Sequence, residues 1–242
     1  MLFRSITPRS AKIHYFKGVV YAALEHHQDA IRSYDCALEL DPTYAAAFSH
    51  KGVSLAELGL SKDAIEAFDR ALEHDRTYAE AYVGKGNAYY DIGRSGDALN
   101  YYEKALDLAP ENAVAWTRKG MALADLRRYE EAIKSYDQAL TLDPSFTIAY
   151  FTKGSALDEL GKFREAASSY DAMLQIQPDF VDAWVRKGRA LHRAGNYQDA
   201  LASYKRALEL DPDQKNIWQE IGEILEKLGK HEEAKICYAK AK

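Results

Sequence analysis

The sequence AVAWTRKGMALADLRRYEEAIKSYDQALTLDPSF, residues 113–146, is a unit that the rest of the chain repeats. The same pattern returns as AWVRKGRALHRAGNYQDALASYKRALELDP from Ala183 and as AYVGKGNAYYDIGRSGDALNYYEKALDLAP from Ala81. Successive copies are 34 residues apart, as seven equally spaced glycines show: Gly18, Gly52, Gly86, Gly120, Gly154, Gly188 and Gly222. A constant period of this length indicates a repeat architecture, in which each unit packs on its neighbours.

Each copy contains the pattern of two amphipathic helices, here called helix A and helix B. Helix A of the central copy gathers small or apolar residues and one lysine on one side of a 3.6-residue helix: Ala115, Trp116, Lys119, Gly120, Ala122, Leu123 and Leu126. Helix B has an equally periodic stripe: Ala132, Ile133, Tyr136, Ala139 and Leu140. The turn between the two helices carries glycine in five copies, where a left-handed backbone costs glycine least, but Glu25 and Arg127 in the other two. The chain is therefore predicted to be all-α.

Further positions recur with the spaced glycine. An aromatic residue precedes it by four positions in six of the seven copies: Phe48, Tyr82, Trp116, Tyr150, Trp184 and Trp218. An alanine follows the glycine by twelve positions and an aromatic residue by sixteen, and most copies end in a proline. In seven consecutive copies the chain thus resembles the tetratricopeptide repeat (TPR) family, whose pattern is W-x2-L-G-x2-Y, A-x3-F and a late P.

The resemblance implies an all-α fold, a right-handed superhelical solenoid of antiparallel helix pairs. Residues 11–242 are predicted to form a single solenoid of seven repeats: 11–44, 45–78, 79–112, 113–146, 147–180, 181–214 and 215–242. The last repeat is rich in Glu and Lys, and we expect it to act as a polar cap. Residues 1–10 are a leader to which we assign no function.

Charge and composition limit the classes of partner and compartment. The net charge of -5 argues against a nucleic-acid partner, whose phosphates attract basic proteins. The two cysteines, Cys36 and Cys237, lie in the first and last repeats and are expected to remain reduced. The opening MLFRSITPRS is too short and polar for a signal peptide, and no apolar run is long enough to span a bilayer. We therefore expect a cytoplasmic protein without a membrane partner.

A row of lysines and a row of acids predict how neighbouring repeats meet. Position 7 of helix A is lysine in six repeats, and position 25 on helix B is acidic in five. If each lysine meets the acid of the preceding repeat, the pairs are Lys51–Asp35, Lys85–Asp69, Lys119–Glu103, Lys153–Asp137 and Lys187–Asp171. At the sixth junction Lys205 and Ile221 replace both members together, which favours this pairing. The alternative is that the two rows are solvated independently.

The sequence contains no motif typical of catalysis or metal binding. It has no phosphate-binding loop, no nucleophile elbow, no zinc motif and no Cys-x-x-Cys. The neighbouring His26 and His27 face different sides of a helix, which indicates a solvated helix end. Paired acids such as Asp158 and Glu159 are typical of a charged helix surface. We expect no enzyme activity, no cofactor and no metal.

Three classes of function are compatible with such an array. The resemblance implies a protein-binding scaffold whose concave groove receives a peptide or a partner helix. An alternative is a structural role in which copies associate through the ends of the solenoid. A nucleic-acid-binding solenoid would need a basic stripe along many repeats, and the sequence has a basic cluster in only one.

The candidate groove is the side of helix A opposite its packing side, at positions 2, 5, 9, 12 and 13. Its apolar members are Val83, Val114, Met121, Ile148, Phe151 and Val185. Its acidic members are Asp91, Asp125, Asp158 and Glu159, and a basic cluster follows in the sixth repeat: Arg186, Arg189, His192 and Arg193. The remaining candidates are polar or aromatic: Asn87, Tyr90, Thr117 and Ser155.

This arrangement predicts a peptide partner with apolar anchors and basic residues along repeats three to five. An acidic group or C-terminus of the peptide would then lie at the arginines. The alternative is that the valines of this face are partly covered by neighbouring repeats and that these arginines pair with acids of the same chain: Asp158, Glu159, Glu220 and Glu223.

Overall fold

The computed structural model describes residues 10–241, and over this range the chain forms fourteen α-helices and no β-strand. The prediction of an all-α chain of seven helix pairs is confirmed. The leader predicted at residues 1–10 lies outside the described residues, apart from Ser10 at the start of the first helix. The described helices divide into two compact units, residues 1–126 and 127–242. The prediction of a single solenoid over residues 11–242 stays a prediction.

The N-terminal unit contains seven helices in chain order: α1 Ala11–Ala23, α2 His27–Leu40, α3 Ala45–Glu57, α4 Ser61–His74, α5 Ala79–Asp91, α6 Ser95–Leu108 and α7 Ala113–Asp125. Odd-numbered helices are the A helices and even-numbered helices are the B helices. Consecutive helices pack on one another from α1 to α7. The neighbouring A helices α1 and α3, α3 and α5, and α5 and α7 also touch.

The C-terminal unit contains the other seven: α8 Tyr129–Leu142, α9 Thr147–Glu159, α10 Phe163–Ile176, α11 Val181–Arg193, α12 Tyr197–Leu210, α13 Lys215–Lys227 and α14 His231–Lys240. Consecutive helices pack in the same way from α8 to α14. None of the helices within residues 10–241 combines the length and the apolar character that crossing a membrane requires.

Close packing of helix pairs within the two units explains the 34-residue period. In these pairs the aromatic ring at position 24 of helix B lies directly against the glycine at position 8 of helix A. A Cβ atom added at Gly86 would lie 2.6 Å from the ring of Tyr102, and one added at Gly154 would lie 2.6 Å from the ring of Tyr170. Any side chain other than glycine would overlap the ring, so the two positions must recur together. The ring residues are buried in the core: Tyr34, Phe68, Tyr102, Tyr136, Tyr170 and Tyr204.

The turn from helix A to helix B uses a left-handed residue in every repeat. The five turn glycines have φ values of 74° to 79°, and Glu25 and Arg127 adopt the same region at 61° and 59°. The two substituted turns therefore carry backbone strain that glycine avoids. Leu126 was predicted to lie on the packing side of helix A, which is wrong, because it is exposed. Leu126 is the C-cap residue of α7, where the backbone has already left the helix.

The predicted ion pairs form at all five junctions. The Nζ–Oδ1 distance is 2.6 Å for Lys51–Asp35 and for Lys153–Asp137. The remaining three pairs are Lys119–Glu103 at 3.1 Å, Lys85–Asp69 and Lys187–Asp171. The alternative of independently solvated rows is therefore wrong. Because the carboxylates are close to half exposed, each pair contributes at most about 1 kcal/mol, and its main effect is to specify how repeats align.

Candidate functional site

The candidate face of the N-terminal unit lies on α5 and α7. Val114 is exposed and Met121 is half-buried, while Asp91 and Asp125 are exposed at the ends of their helices. Val83, Asn87 and Tyr90 are half-buried in α5. The face therefore combines accessible apolar surface with carboxylates, as the sequence predicted.

Thr117 was predicted to belong to this face, but it is buried. It is only 2% exposed, and its hydroxyl donates to the carbonyl of Ala113 at 3.0 Å. Thr117 is therefore excluded from a peptide-contacting surface.

The candidate face of the C-terminal unit lies on α9 and α11. Ile148 is exposed near the start of α9, and Ser155 is half-buried beside the Tyr170 hydroxyl at 3.3 Å. Phe151 is half-buried and packs edge-to-face on Phe180, with ring centroids 5.6 Å apart. Val185 is only 6% exposed and belongs to the core cluster, so it cannot contact a peptide. For position 5 in α11, as in α7, the predicted groove residue is a core residue.

Asp158 is the most unusual member of the C-terminal face. Its Oδ2 accepts a hydrogen bond of 2.9 Å from the Tyr170 hydroxyl, whereas its Oδ1 is buried and has no partner among residues 10–241. Burial raises the pKa of the Asp158 carboxyl, although the Tyr170 hydroxyl and the nearby guanidinium groups of Arg193 and Arg186 act in the opposite direction. The neighbouring Glu159 is exposed. Asp158 thus offers a desolvated hydrogen-bond acceptor.

Two arginines beside this acceptor rest on aromatic rings. The guanidinium of Arg186 lies 5.0 Å from the centroid of Phe151, and that of Arg193 lies 4.2 Å from the centroid of Phe163. Within the described part of the chain, neither guanidinium forms a salt bridge. Stacking on a ring holds a guanidinium in place while its N–H donors stay available.

The other two members of the predicted basic cluster, Arg189 and His192, contact α13. Arg189 Nε lies 2.5 Å from Glu220 Oε1, and Glu220 also accepts a hydrogen bond from the Tyr204 hydroxyl. His192 Nε2 lies 3.0 Å from Lys227 Nζ, and burial together with Lys227 lowers the pKa of the imidazole. The predicted alternative of internal ion pairs therefore holds for Arg189 alone. The guanidinium groups of Arg186 and Arg193 therefore remain available for hydrogen bonds to a ligand.

A polar pocket of about 500 Å³ lies in the N-terminal unit and was not predicted from the sequence. Residues of α1, α2, α3 and the α1–α2 turn line it: Ala22, Glu25, His27, Tyr34, His50, Val53, Ser54 and Glu57. Three of its polar atoms are buried without a hydrogen-bond partner among residues 10–241: His27 Nδ1, the Tyr34 hydroxyl and Ser54 Oγ. His27 lies at the end of a helix, as predicted, because α2 begins at this residue, but its Nδ1 is buried rather than solvated.

A larger groove, of about 690 Å³, lies on the opposite side of α11, between α10 and α12. Its polar lining groups are already engaged: Lys187 pairs with Asp171, and Arg206 pairs with Glu209. Asp199 accepts a hydrogen bond from Asn196. The groove therefore offers fewer unpartnered groups than either the α9–α11 face or the polar pocket.

The described residues contain no group of three or more His, Cys, Asp or Glu side chains placed to hold a metal ion. Cys36 and Cys237 are both free thiols, the first exposed and the second buried. Burial raises the pKa of the Cys237 thiol, so it is less reactive than an ordinary cysteine.

Family models described as tetratricopeptide repeat match the chain at residues 11–44, 43–111, 83–145, 151–215 and 191–242. No curated protein matches it. Among solved structures, the chain is similar to one described as the crystal structure of MamA protein, with 26% sequence identity and a TM-score of 0.65. That similarity covers 71% of this chain and 94% of the MamA chain.

A second similar structure is that of YrrB, described as a TPR protein with an unusual peptide-binding site. The identity is 27% and the TM-score is 0.65, over 76% of this chain and 95% of the YrrB chain. PilF of Pseudomonas aeruginosa has a TM-score of 0.75 over 90% of this chain and 97% of its own, with 19% identity, which shows a likeness of fold alone.

Proposed function

Because the chain belongs to the tetratricopeptide repeat family, we propose that it is a scaffold that binds a protein or peptide partner and has no catalytic activity of its own. The description of YrrB as a peptide-binding TPR protein supports this class of partner. The proposed location is the cytoplasm, a reducing compartment that suits the free thiols of Cys36 and Cys237.

The proposed binding surface in the C-terminal unit is the face of α9 and α11. The observation that carries it is the buried Oδ1 of Asp158, which has no partner in the described part of the chain, beside two guanidinium groups that form no salt bridge there. A peptide N–H group would donate to Asp158 Oδ1, and a peptide carboxylate would accept from Arg186 and Arg193. The exposed Ile148 supplies apolar contact on the same face.

The N-terminal unit would bind through the corresponding face of α5 and α7. There the exposed Val114 and half-buried Met121 are proposed as apolar contacts, and Asp91 and Asp125 as partners for basic residues. A partner with apolar and basic residues therefore fits this face, and an acidic group or C-terminus fits α11. Thr117 and Val185 are left out because they are buried.

Peptides selected on the full chain from a displayed library would test this proposal. Binding of a selected peptide is expected to weaken at least about tenfold in Arg186→Ala, because a charge-assisted hydrogen bond contributes about 1.5–3 kcal/mol. Arg206→Ala is the matched control, since Arg206 is also exposed but lies on α12 and pairs with Glu209. Unchanged affinity in Arg186→Ala and in Arg193→Ala would overturn the proposed surface.

Self-association is a second candidate function, favoured by one observation. Ile13, Phe16, Val20 and Leu24 are all exposed along one side of α1, whereas Ala47, at the position of Ile13 in the next repeat, is fully buried. The proposed contact joins the α1 helices of two copies. Light scattering after size exclusion would show a dimer in the natural chain and a monomer in Phe16→Glu. Ile236→Glu, at an equally exposed position of α14, is the control and should remain dimeric. A natural chain that stays monomeric at every concentration would exclude this function.

A further inference from the structure

The polar pocket of the N-terminal unit contains hydrogen-bonding atoms that the chain itself does not use. Tyr34 is 0% exposed and Ser54 is 1% exposed, yet neither hydroxyl has a partner among residues 10–241. The buried Nδ1 of His27 is also without a partner in that range. Buried polar groups are almost always paired in folded proteins, so three unpaired atoms in one pocket point to an external partner.

The other repeats show how a tyrosine at position 24 is normally satisfied. The hydroxyl of Tyr102 donates to Asn87 at position 9, and that of Tyr170 donates to Asp158 at position 12. The Tyr204 hydroxyl donates instead to Glu220, at position 6 of the following repeat.

The first repeat lacks an acceptor at each of these positions. Val19 and Ala22 stand at positions 9 and 12, and neither has a polar side-chain atom. His50 stands at position 6 of the following repeat, but its Nδ1 lies 3.0 Å from the Ala46 carbonyl and its Nε2 lies 3.4 Å from the Tyr15 hydroxyl. Both ring nitrogens of His50 are therefore occupied, and the Tyr34 hydroxyl faces the pocket unpaired.

Ser54 adds a hydroxyl where packing does not require one. Alanine stands at the same position of helix A in the four following repeats: Ala88, Ala122, Ala156 and Ala190. All four are 0–2% exposed, so an alanine fills this space. The serine hydroxyl thus supplies a polar atom to the pocket and makes no hydrogen bond elsewhere among the described residues.

The charge around the pocket selects the kind of ligand. Glu25 and Glu57 line it, and no lysine or arginine among residues 10–241 does. An anion would be repelled by the two carboxylates, and a neutral aliphatic group would leave the three polar atoms unpaired. A primary ammonium group has three N–H donors and a positive charge, which match three acceptor atoms and the flanking acids.

We propose that this pocket binds a primary ammonium group, of the kind carried by a lysine side chain or a free alkylamine. The ammonium donates to the Tyr34 hydroxyl oxygen, to Ser54 Oγ and to His27 Nδ1, while Glu25 and Glu57 balance its charge. The inference goes beyond the proposed scaffold function, because its residues lie on α1, α2, α3 and the α1–α2 turn and are separate from the α5–α7 and α9–α11 faces.

The test titrates four probes into the full chain and follows amide and methyl signals by NMR into the millimolar range. The probes are n-butylammonium, the peptide acetyl-Gly-Lys-Gly-amide, n-butanol and butyrate. Both ammonium probes are expected to give saturable shifts confined to α1, α2 and α3, and the two other probes to give none. A tenfold or greater advantage of the peptide would identify a lysine-bearing partner as the source, and equal affinity would identify a free amine. Either result supports the proposal that the pocket binds a primary ammonium group.

Two variants complete the test, and each introduces a residue that another repeat already has at the same position. Tyr34→Phe reproduces Phe68, and Ser54→Ala reproduces Ala88. Each is expected to weaken binding of the ammonium probes at least tenfold with an unchanged circular dichroism spectrum. Tyr102→Phe, which removes a hydroxyl outside the pocket, should leave the affinity within twofold. The proposal is overturned if neither ammonium probe binds, so that the pocket holds ordered water only. It is also overturned if butyrate binds equally well, or if both pocket variants bind like the natural chain.

Discussion

Replacing Tyr34 by phenylalanine should leave the ligand-free protein as stable as before or more stable, whereas the same change at Tyr102 should destabilise it. Both rings are 0% exposed at the same position of helix B. The Tyr102 hydroxyl donates to Asn87 Oδ1 at 2.8 Å, but the Tyr34 hydroxyl has no partner among residues 10–241. The two variants therefore compare one substitution with and without a hydrogen bond.

The expected difference in the free energy of unfolding follows from these environments. Removing a formed hydrogen bond at Tyr102 costs about 0.5–1.5 kcal/mol. Removing a buried, unpaired hydroxyl at Tyr34 relieves a desolvation penalty of about 1–3 kcal/mol. Because the Tyr34 hydroxyl lines a pocket that admits water, the lower end of this range applies. The two variants should thus differ by about 1.5–2.5 kcal/mol, with Tyr34→Phe the more stable.

Urea unfolding followed by circular dichroism measures this difference. Native-state hydrogen exchange of α1 to α6 should accompany it, because repeat arrays open in segments rather than as one unit. Equal destabilisation by Tyr34→Phe and Tyr102→Phe would refute the reasoning, since it would show that the Tyr34 hydroxyl has a partner of comparable strength.

Three other predictions concern the turn, the junctions and Asp158. Arg127→Gly should raise the free energy of unfolding by up to about 1 kcal/mol, because a left-handed non-glycine residue costs about 1–2 kcal/mol and the entropy of glycine offsets part of this gain. Gly161→Ala should lower the free energy of unfolding in the same denaturation assay. Effects of the opposite sign would contradict the account. A double-mutant cycle of Lys153→Ala and Asp137→Ala should give a coupling of about 0.2–1 kcal/mol that falls with salt, and no coupling at low salt would remove the proposed role of the pair in aligning repeats. Asp158→Asn should stabilise the protein above the folded pKa of Asp158. Burial raises that pKa, so the folded state keeps the Asp158 proton to a higher pH than the unfolded state does. The ionised carboxylate therefore destabilises the natural protein increasingly as the pH rises from the ordinary carboxyl pKa of about 4 to the raised folded pKa, and this destabilisation disappears below the ordinary pKa. If unfolding curves show that the stabilisation by Asp158→Asn increases as the pH falls, the predicted pH dependence is wrong.

The sequence predicted those features of the fold that one repeat shares with the next. Gly154 and Tyr170 recur at fixed positions because the ring fills the space that the glycine leaves. The Lys153–Asp137 pair was predictable because the lysine and acid rows change together at the sixth junction, where Lys205 meets a repeat without the lysine. In both cases the physical constraint recurs along the chain, so the period itself reveals it.

Features that depend on one local combination of side chains were missed. Thr117 and Val185 were assigned to the groove by helical spacing, but spacing alone does not show that the packed helices bury these two side chains. The polar pocket results from the absence of acceptors at Val19 and Ala22 together with the extra hydroxyl of Ser54. The serine in a column of alanines was the one signal available, and the missing acceptors became visible only when three helices were placed together.

The most direct test of the scaffold function is NMR mapping of a library-selected peptide on the C-terminal face. We expect the largest amide and side-chain shifts at residues 148–159 of α9 and residues 186–193 of α11, including the Arg186 and Arg193 side chains. Shifts concentrated instead on α10 and α12, around the groove that contains Trp184 and Lys187, would contradict the proposed binding surface.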